Sequence, residues 1–426
     1  MKGRKPKSRV RHWGSVLLKD FLNAAHPLYR LASVVNWAQF ERQFGKFYAE
    51  EMGRPALATR LVVGLHYLKY LYNVSDEVGV ARWVENPYWQ YFCGEEDFVH
   101  ELPCDPTSLV KWRQRVGVEG SEKLLKESLA AAQREAVLTG TEIKQVNVDT
   151  TGQEKAIAFP TDARLYHKAR QALVRTAKSC NLKLRQSYVR LGKRALVNQG
   201  RSGAARQLKR ARRETRKLRT YLGRVLRNIE RGRPQLSEKH AQLVTIARRI
   251  FTQQRTDHGK VYSVHAPEVE CLAKGKVHKP YEFGCKVPIV TTSRQSWIVG
   301  IDAVHDNPYD GVTLKPALAQ VKRLTGVRPE AAFVDKGFRG QRYHPKAVAV
   351  YITGRRNLTP QLRKLLKRRS AIEPVIGHTK HDHGMDRNYL LGKIGDRINA
   401  LLSGAAWNLK KLWRHFVEHP LPVHVT

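Results

Sequence analysis

The sequence predicts an α/β protein: a mixed sheet flanked by helices, with a helical N-terminal region and a basic helical insertion. Three observations carry that expectation. Short runs rich in β-branched and aromatic residues fall at 146–151, 281–287, 296–302, 330–335 and 347–352, with a helical stretch among the later ones. Residues 1 to about 140 and about 360 to 415 instead carry apolar side chains at three- and four-residue spacing, the helical period. Between them, residues 161–250 hold 26 Lys and Arg against four Asp and Glu, a bias beyond that of an ordinary solvated face.

Leu61 to Leu68 begin the first strongly periodic segment, with Pro55 near its start, where a proline is tolerated. Asp105-Pro106-Thr107-Ser108 is a helix-start pattern. The helix it launches, Leu109 to Arg115, is basic and amphipathic. It suits either a major groove, read by Lys111, Arg113 and Arg115, or a core that receives Trp112. Val146-Asn147-Val148 reads as a strand ending in Asp149. In the basic block, Leu208, Leu218, Leu222, Val225 and Ile229 recur at helical intervals, predicting a long basic helix or a helical hairpin with a turn at Gly200 to Gly203. Arg206, Lys209, Arg210, Arg212, Arg213, Arg216 and Lys217 are its expected phosphate contacts. Strands follow at Tyr281–Val287 and Ser296–Asp302, a helix at Thr313–Leu324, and strands at Glu330–Asp335 and Ala347–Ile352.

The 77 Lys and Arg against 37 Asp and Glu leave a formal net charge of +40. Such a protein seeks a polyanion, because each cation set against a phosphate releases condensed counterions. Nucleic acid is the expected polyanion, with an acidic membrane surface as competitor. No stretch approaches the roughly 18 continuous apolar residues of a membrane span. The basic start, Met1 to Lys7, is followed by no apolar signal region, so a cytosolic protein is expected. Cys93, Cys104, Cys180, Cys271 and Cys285 are odd in number and widely spaced, which predicts reduced thiols and no zinc site.

Two predicted strands end in carboxylates, Asp149 and Asp335, and open α/β sheets gather ligands at strand ends. Carboxylates brought together from separate elements can hold hard divalent cations for displacement at phosphorus. Glu373 is a third candidate. Ser370 and Glu373 also fit a capping box, in which Glu373 only reaches back to a backbone N–H. Arg369, Glu373 and Lys380 fall at four- and seven-residue steps on one helical face. Asp302, Asp306 and Asp310 surround Asn307-Pro308, where Asx-turn chemistry accounts for them, with Asp306 as a reserve metal ligand. Glu268 and Glu270 are peripheral. His378, His381, Asp382 and His383 cluster in sequence, but His378 and His381 lie directly beyond the Arg369–Glu373–Lys380 segment and His383 is out of phase with them, which favours phosphate contact or surface placement over a metal.

Arg369, Glu373 and Lys380 resemble, position for position, the Tyr-two-Arg-three-Glu-six-Lys signature of DDE transposases from bacterial insertion sequences; Leu366 stands where that signature has tyrosine. Val334-Asp335-Lys336-Gly337-Phe338 resembles the family's second-Asp motif and Asn147-Val148-Asp149-Thr150-Thr151 its first. Met385 to Ala400 and the leading helical region are similar to the IS-five group. The resemblance implies an RNase H-like core in which Asp149, Asp335 and Glu373 bind two Mg²⁺ ions, with Mn²⁺ as a substitute, and Arg369 and Lys380 hold phosphates. It implies cleavage at transposon ends and transfer of the 3′-OH into target DNA, within at least a dimer, in the bacterial cytoplasm at the nucleoid. The implied organisation is a DNA-binding domain for terminal-repeat recognition at 1–140, a catalytic domain at 141–160 and 255–415, the basic insertion at 161–254 and a tail at 416–426. A silent nucleic-acid-binding relative and a hydrolytic nuclease of the same fold are the alternatives.

Overall fold

The structure, a computed structural model, describes residues 17–48, 55–232, 235–273, 280–355 and 357–420. The basic run at 1–7 lies outside them. In chain order the N-terminal region forms α1 (Leu18–Phe21), α2 (Pro27–Val34), α3 (Trp37–Phe44), α4 (Thr59–Leu71), α5 (Asp76–Glu85), α6 (Pro87–Cys93), α7 (Thr107–Arg134) and α8 (Gly140–Ile143). Strand β1 (Gln145–Glu154) is followed by α9 (Asp162–Ser179), α10 (Val189–Ala204), α11 (Leu208–Gly232), α12 (Glu238–Thr252) and β2 (Glu270–Ala273). Then come β3 (Tyr281–Thr292), β4 (Ile298–Ile301), α13 (Asp310–Thr325), β5 (Ala331–Val334), β6 (Ala349–Ile352), α14 (Pro360–Arg368), α15 (Ile372–Asp382) and α16 (Gly392–Glu418). Helix α16 thus runs past residue 415, where a tail was expected. Among the described residues no helix is long and apolar enough to cross a membrane.

The chain divides into two units. One comprises Met1–Glu154, Lys286–Val304 and Pro308–Thr426, so the N-terminal helices cluster with the sheet; the other comprises Lys155–Cys285 and His305–Asn307. In the first unit the sheet runs β3–β1–β5–β6, with β4 paired to β3. β3 and β4 are antiparallel, whereas β1, β5 and β6 are parallel. Strand β4 lies at an edge, where unpaired backbone groups are a liability. Two buried side-chain amides cover it. Asn408 of α16 accepts from Ile298 N and donates to Ile298 O, and Gln320 of α13 does the same at Ile301. Gly404 allows the close approach of α16: a Cβ there would lie 2.6 Å from the Ile301 side chain.

In the second unit Leu173 of α9, Leu218, Leu222, Val225, Leu226 and Ile229 of α11 and Ile250 of α12 form one core. Two local expectations change. Gly200 and Gly203 lie inside α10, and the chain reverses at Ala205–Gln207, where Arg206 takes φ 55°. Leu208 does not join the buried stripe and is 60% exposed, because it is the first residue of its helix.

In the N-terminal helices Asp105 Oδ1 accepts from Thr107 N at 2.8 Å, as the start pattern requires. Trp112 is buried. Arg113, expected to face a groove, is a correction: it is 4% exposed and forms a bidentate pair with Asp76. Lys69 joins Asp76 at 2.8 Å, and Arg113 Nη1 reaches His66 Nε2 at 3.2 Å. A guanidinium so enclosed is unavailable to phosphate. Lys111 and Arg115 are exposed. Burial opposes the charged form of Asp76, yet Arg113 and Lys69 outweigh it and hold the carboxyl well below its usual range. His66, fully buried and beside the Arg113 charge, is pulled down to about 3.

Asp76→Asn leaves Arg113 buried without a counter-charge and is expected to lower stability by about 3–5 kcal/mol, read as a shift in the urea midpoint. His66 gives a pH dependence. Unfolded imidazole takes up a proton near 6.5 and the folded one only near 3, so stability falls as pH drops through that window. The limiting slope is about 1.4 kcal/mol per pH unit. The urea midpoint measured from pH 7 to pH 4 should decline more steeply in wild type than in His66→Gln; equal slopes would contradict this assignment.

Candidate active site

Strand β1 inserts Val146 and Val148 into the core and carries Asp149 at its middle, not at the strand end expected from the sequence, because the strand runs on to Glu154. Its parallel neighbour β5 pairs Gln145 with Ala331, Val146 with Ala332 and Asn147 with Phe333. Continuing that register brings Asp149 level with Asp335. Asp335 caps the short turn Lys336–Phe338, its Oδ1 accepting from Gly337 N at 2.8 Å. Asp149 Oδ1 accepts from Thr150 N at 2.7 Å and Oδ2 accepts from Arg369 Nη1 at 3.1 Å. The other Arg369 nitrogen lies 3.8 Å from Glu373 Oε1. One guanidinium therefore bridges the strand carboxylate and the helix carboxylate.

Ser370 Oγ donates to Lys367 O, and α15 begins only at Ile372 without a side-chain cap. The capping box does not form, and the Glu373 side chain is 67% exposed. Lys380 lies two turns further along α15. The turn that carries Arg369 is fastened to β1: buried Asn147 donates to Arg368 O and accepts from Ser293 Oγ, while Arg368 donates to Ser293 O and Arg294 O. Burial pushes the Asp149 carboxyl above its ordinary range, and the Asp335 charge adds to this against Thr150 N–H and Arg369. The donors are all carboxylate oxygens, and the negative charge they concentrate is what a hard divalent cation relieves. Their chemistry fits Mg²⁺.

Asp302 forms a bidentate pair with Arg397, which replaces the expected turn role. Asp306, the reserve ligand, lies in the second unit with φ 69°, where its N–H and that of Asn307 donate to Glu270. Glu268 pairs there with buried Lys155 at 2.9 Å. Asp310, read only as a turn residue, is instead beside the site: Thr150 Oγ1 donates to its Oδ1 at 2.9 Å. Proximity in sequence to Pro308 concealed it, and no local pattern marks it. The histidines do not converge: His378 is exposed and bonded to Asp382, whereas His383 is buried and bonded to Tyr70 O. In the second unit Arg206, Lys209, Arg210, Arg212, Arg213, Arg216 and Lys217 are all exposed, with Lys217 reaching Glu214 at 2.6 Å.

Residues 16–115 match a family described as Transposase domain (DUF772), and residues 343–413 match one described as Transposase DDE domain. The second match spans Arg369, Glu373 and Lys380. A Rhizobium meliloti protein described as uncharacterized protein ORF8 in the nfe locus is 54% identical over 190 residues, which is 45% of this chain and 91% of its own length. No solved structure matches. The chain belongs to the DDE transposases of insertion sequences. Its mixed sheet is the RNase H-like core of that family.

A Cβ at Gly337 would lie 2.9 Å from Asp310 Oδ2 and 3.0 Å from Asp335 Oδ1. Gly337→Ala is therefore expected to displace Asp310 and Asp335 by tenths of an ångström, cutting by about 100-fold any reaction that depends on the Asp335 carboxylate without lowering the thermal midpoint. An unaltered rate would show that the carboxylates tolerate the shift.

Proposed function

We propose that this chain is an insertion-sequence transposase that cuts its element's inverted-repeat ends and joins the freed 3′-OH to target DNA through Asp149, Asp335 and Glu373. The observation that supports it is the convergence of Asp149 and Asp335 from neighbouring strands with Glu373 joined to Asp149 through Arg369. Two Mg²⁺ ions held by these carboxylates, or Mn²⁺ in their place, would supply Lewis-acid charge for in-line displacement at phosphorus.

The chain's own contribution is position and charge. Arg369 and Lys380, on one face of the helical segment, hold phosphate oxygens and orient the scissile bond. In cleavage a water oxygen bonds to phosphorus while the 3′-oxygen leaves as the hydroxyl. In joining that 3′-oxygen bonds to a target phosphorus and the target's own 3′-oxygen leaves. No covalent protein–DNA bond forms. The N-terminal helices would recognise the terminal repeats, with Lys111 and Arg115 at phosphates. The insertion would clamp end DNA through Arg206, Lys209, Arg210, Arg212, Arg213, Arg216 and Lys217, since counterion release rewards each phosphate contact. A homodimer bridging two ends, at the nucleoid in the bacterial cytoplasm, completes the reading.

The test is a strand-transfer assay on labelled end DNA with Mg²⁺, comparing wild type with Asp335→Ala. Joined product is expected from wild type, falling by at least about a thousandfold in the variant while end binding persists. Cleavage without joining would indicate a hydrolytic nuclease; binding with neither would indicate a silent relative.

A further inference from the structure

Asp310 opens α13, and its carboxylate is held from two sides. Oδ1 accepts from Lys286 Nζ of β3 and from Thr150 Oγ1 of β1, each at 2.9 Å. The same Lys286 Nζ donates to Pro308 O at 2.6 Å, which fixes the chain just ahead of the helix. Oδ2 turns the other way, onto Gly337. It lies 2.9 Å from the point a Cβ there would occupy, and Asp335 Oδ1 lies 3.0 Å from that same point. Asp310 therefore bears on Thr150, the covalent neighbour of Asp149, and on the turn whose N–H holds Asp335. It is hydrogen-bonded to one half of the strand pair and lies beside the turn of the other.

We propose that Asp310, locked by Lys286 and Thr150, is a positioning residue that sets the separation of Asp149 and Asp335 for divalent-cation binding. The inference rests on the proposed role of those two carboxylates. Like charges on two strands gain by moving apart, and the β1–β5 ladder restrains their backbones more than their side chains. A third carboxylate keyed to both elements limits that relaxation. Lys286 offsets the charge of Asp310, so the added acid orients its neighbours at little electrostatic cost. Groups that orient metal ligands in this way govern metal affinity without binding the reacting phosphate.

The experiment titrates Mn²⁺ into full-length wild type and Asp310→Asn, following free Mn²⁺ by electron paramagnetic resonance, with strand transfer measured in parallel against Mg²⁺ concentration. Asp310→Asn is expected to weaken Mn²⁺ binding and to raise the half-saturating Mg²⁺ by about tenfold or more. Thermal midpoint and end-DNA binding should stay at wild-type values, and excess metal should restore joining. Unchanged Mn²⁺ binding and an unchanged Mg²⁺ requirement would overturn the proposal. So would a lowered thermal midpoint with wild-type metal affinity, the behaviour of a mere helix-capping role. Thr150→Val, which removes one anchor and keeps the strand, carries the test if Asp310→Asn does not fold. Wild type that binds Mn²⁺ but never joins DNA would count against the proposed function alone; weaker Mn²⁺ binding by the variant would still support positioning.

Discussion

Asp149 and Asp335 carry like charge on adjacent parallel strands, and the candidate site depends on how that repulsion is contained. The ladder from Gln145–Ala331 to Asn147–Phe333 sets the backbone spacing. Containment then comes from side chains. Arg369 places a positive charge against Asp149, Gly337 N holds Asp335, and Lys286 offsets Asp310. Burial, with a smaller addition from the Asp335 charge, still holds the Asp149 carboxyl above its ordinary range. An electrostatic deficit inside a well-ordered sheet is typical of functional sites, where local consistency yields to chemistry.

The rest of the first unit holds this arrangement still. Strand β4 has no charged blocking residues and, among the described residues, no strand partner on its outer side. It is covered by Asn408 and Gln320, which belong to the two helices that pack on it. Those amides tie α13 and α16 to the sheet through buried hydrogen bonds, where an unpaired group would cost about 1–3 kcal/mol. Helix α13 begins with Asp310, so the covering of a distant edge strand also fixes the register of a residue beside the site. In the second unit the division of labour is simpler. Helix α11 spends its apolar stripe on the core, which leaves its arginines facing solvent.

Much of this was legible in the sequence because it is local. Each expected strand appears within a few residues, since β-branched runs bounded by turns have few alternatives. Asp149 and Asp335 stood out as acids after short apolar runs, although only Asp335 ends its strand, β1 running on to Glu154. Glu373 did not: its spacing fitted a capping box equally well, and only resemblance to a family favoured a role in the site. Arg113 misled because an amphipathic pattern shows which face is buried only when every charge on that face is known to lack a partner. Asp76 supplied the partner from 37 residues away. Asp310 was missed for the same reason, its meaning residing in contacts with Thr150, Lys286 and Gly337 that no window around Pro308 contains.

The three candidate carboxylates are not equivalent in rigidity, and the proposed chemistry gives that difference a use. Asp149 and Asp335 are tied to strands whose hydrogen bonds resist displacement. Glu373 stands in the first turn of α15, after an irregular turn, with its side chain mostly exposed. What fixes that turn is not a ladder but Asn147 and Arg368, side chains that clasp backbone carbonyls. In the proposed reaction, cleavage and joining would present differently placed phosphates to the same carboxylates. A rigid pair on strands can keep the reacting centre constant, while an acid on an exposed helix turn has the reach to adjust between the two steps. Arg369, within contact of both the rigid and the adjustable carboxylate, is the group through which one constrains the other.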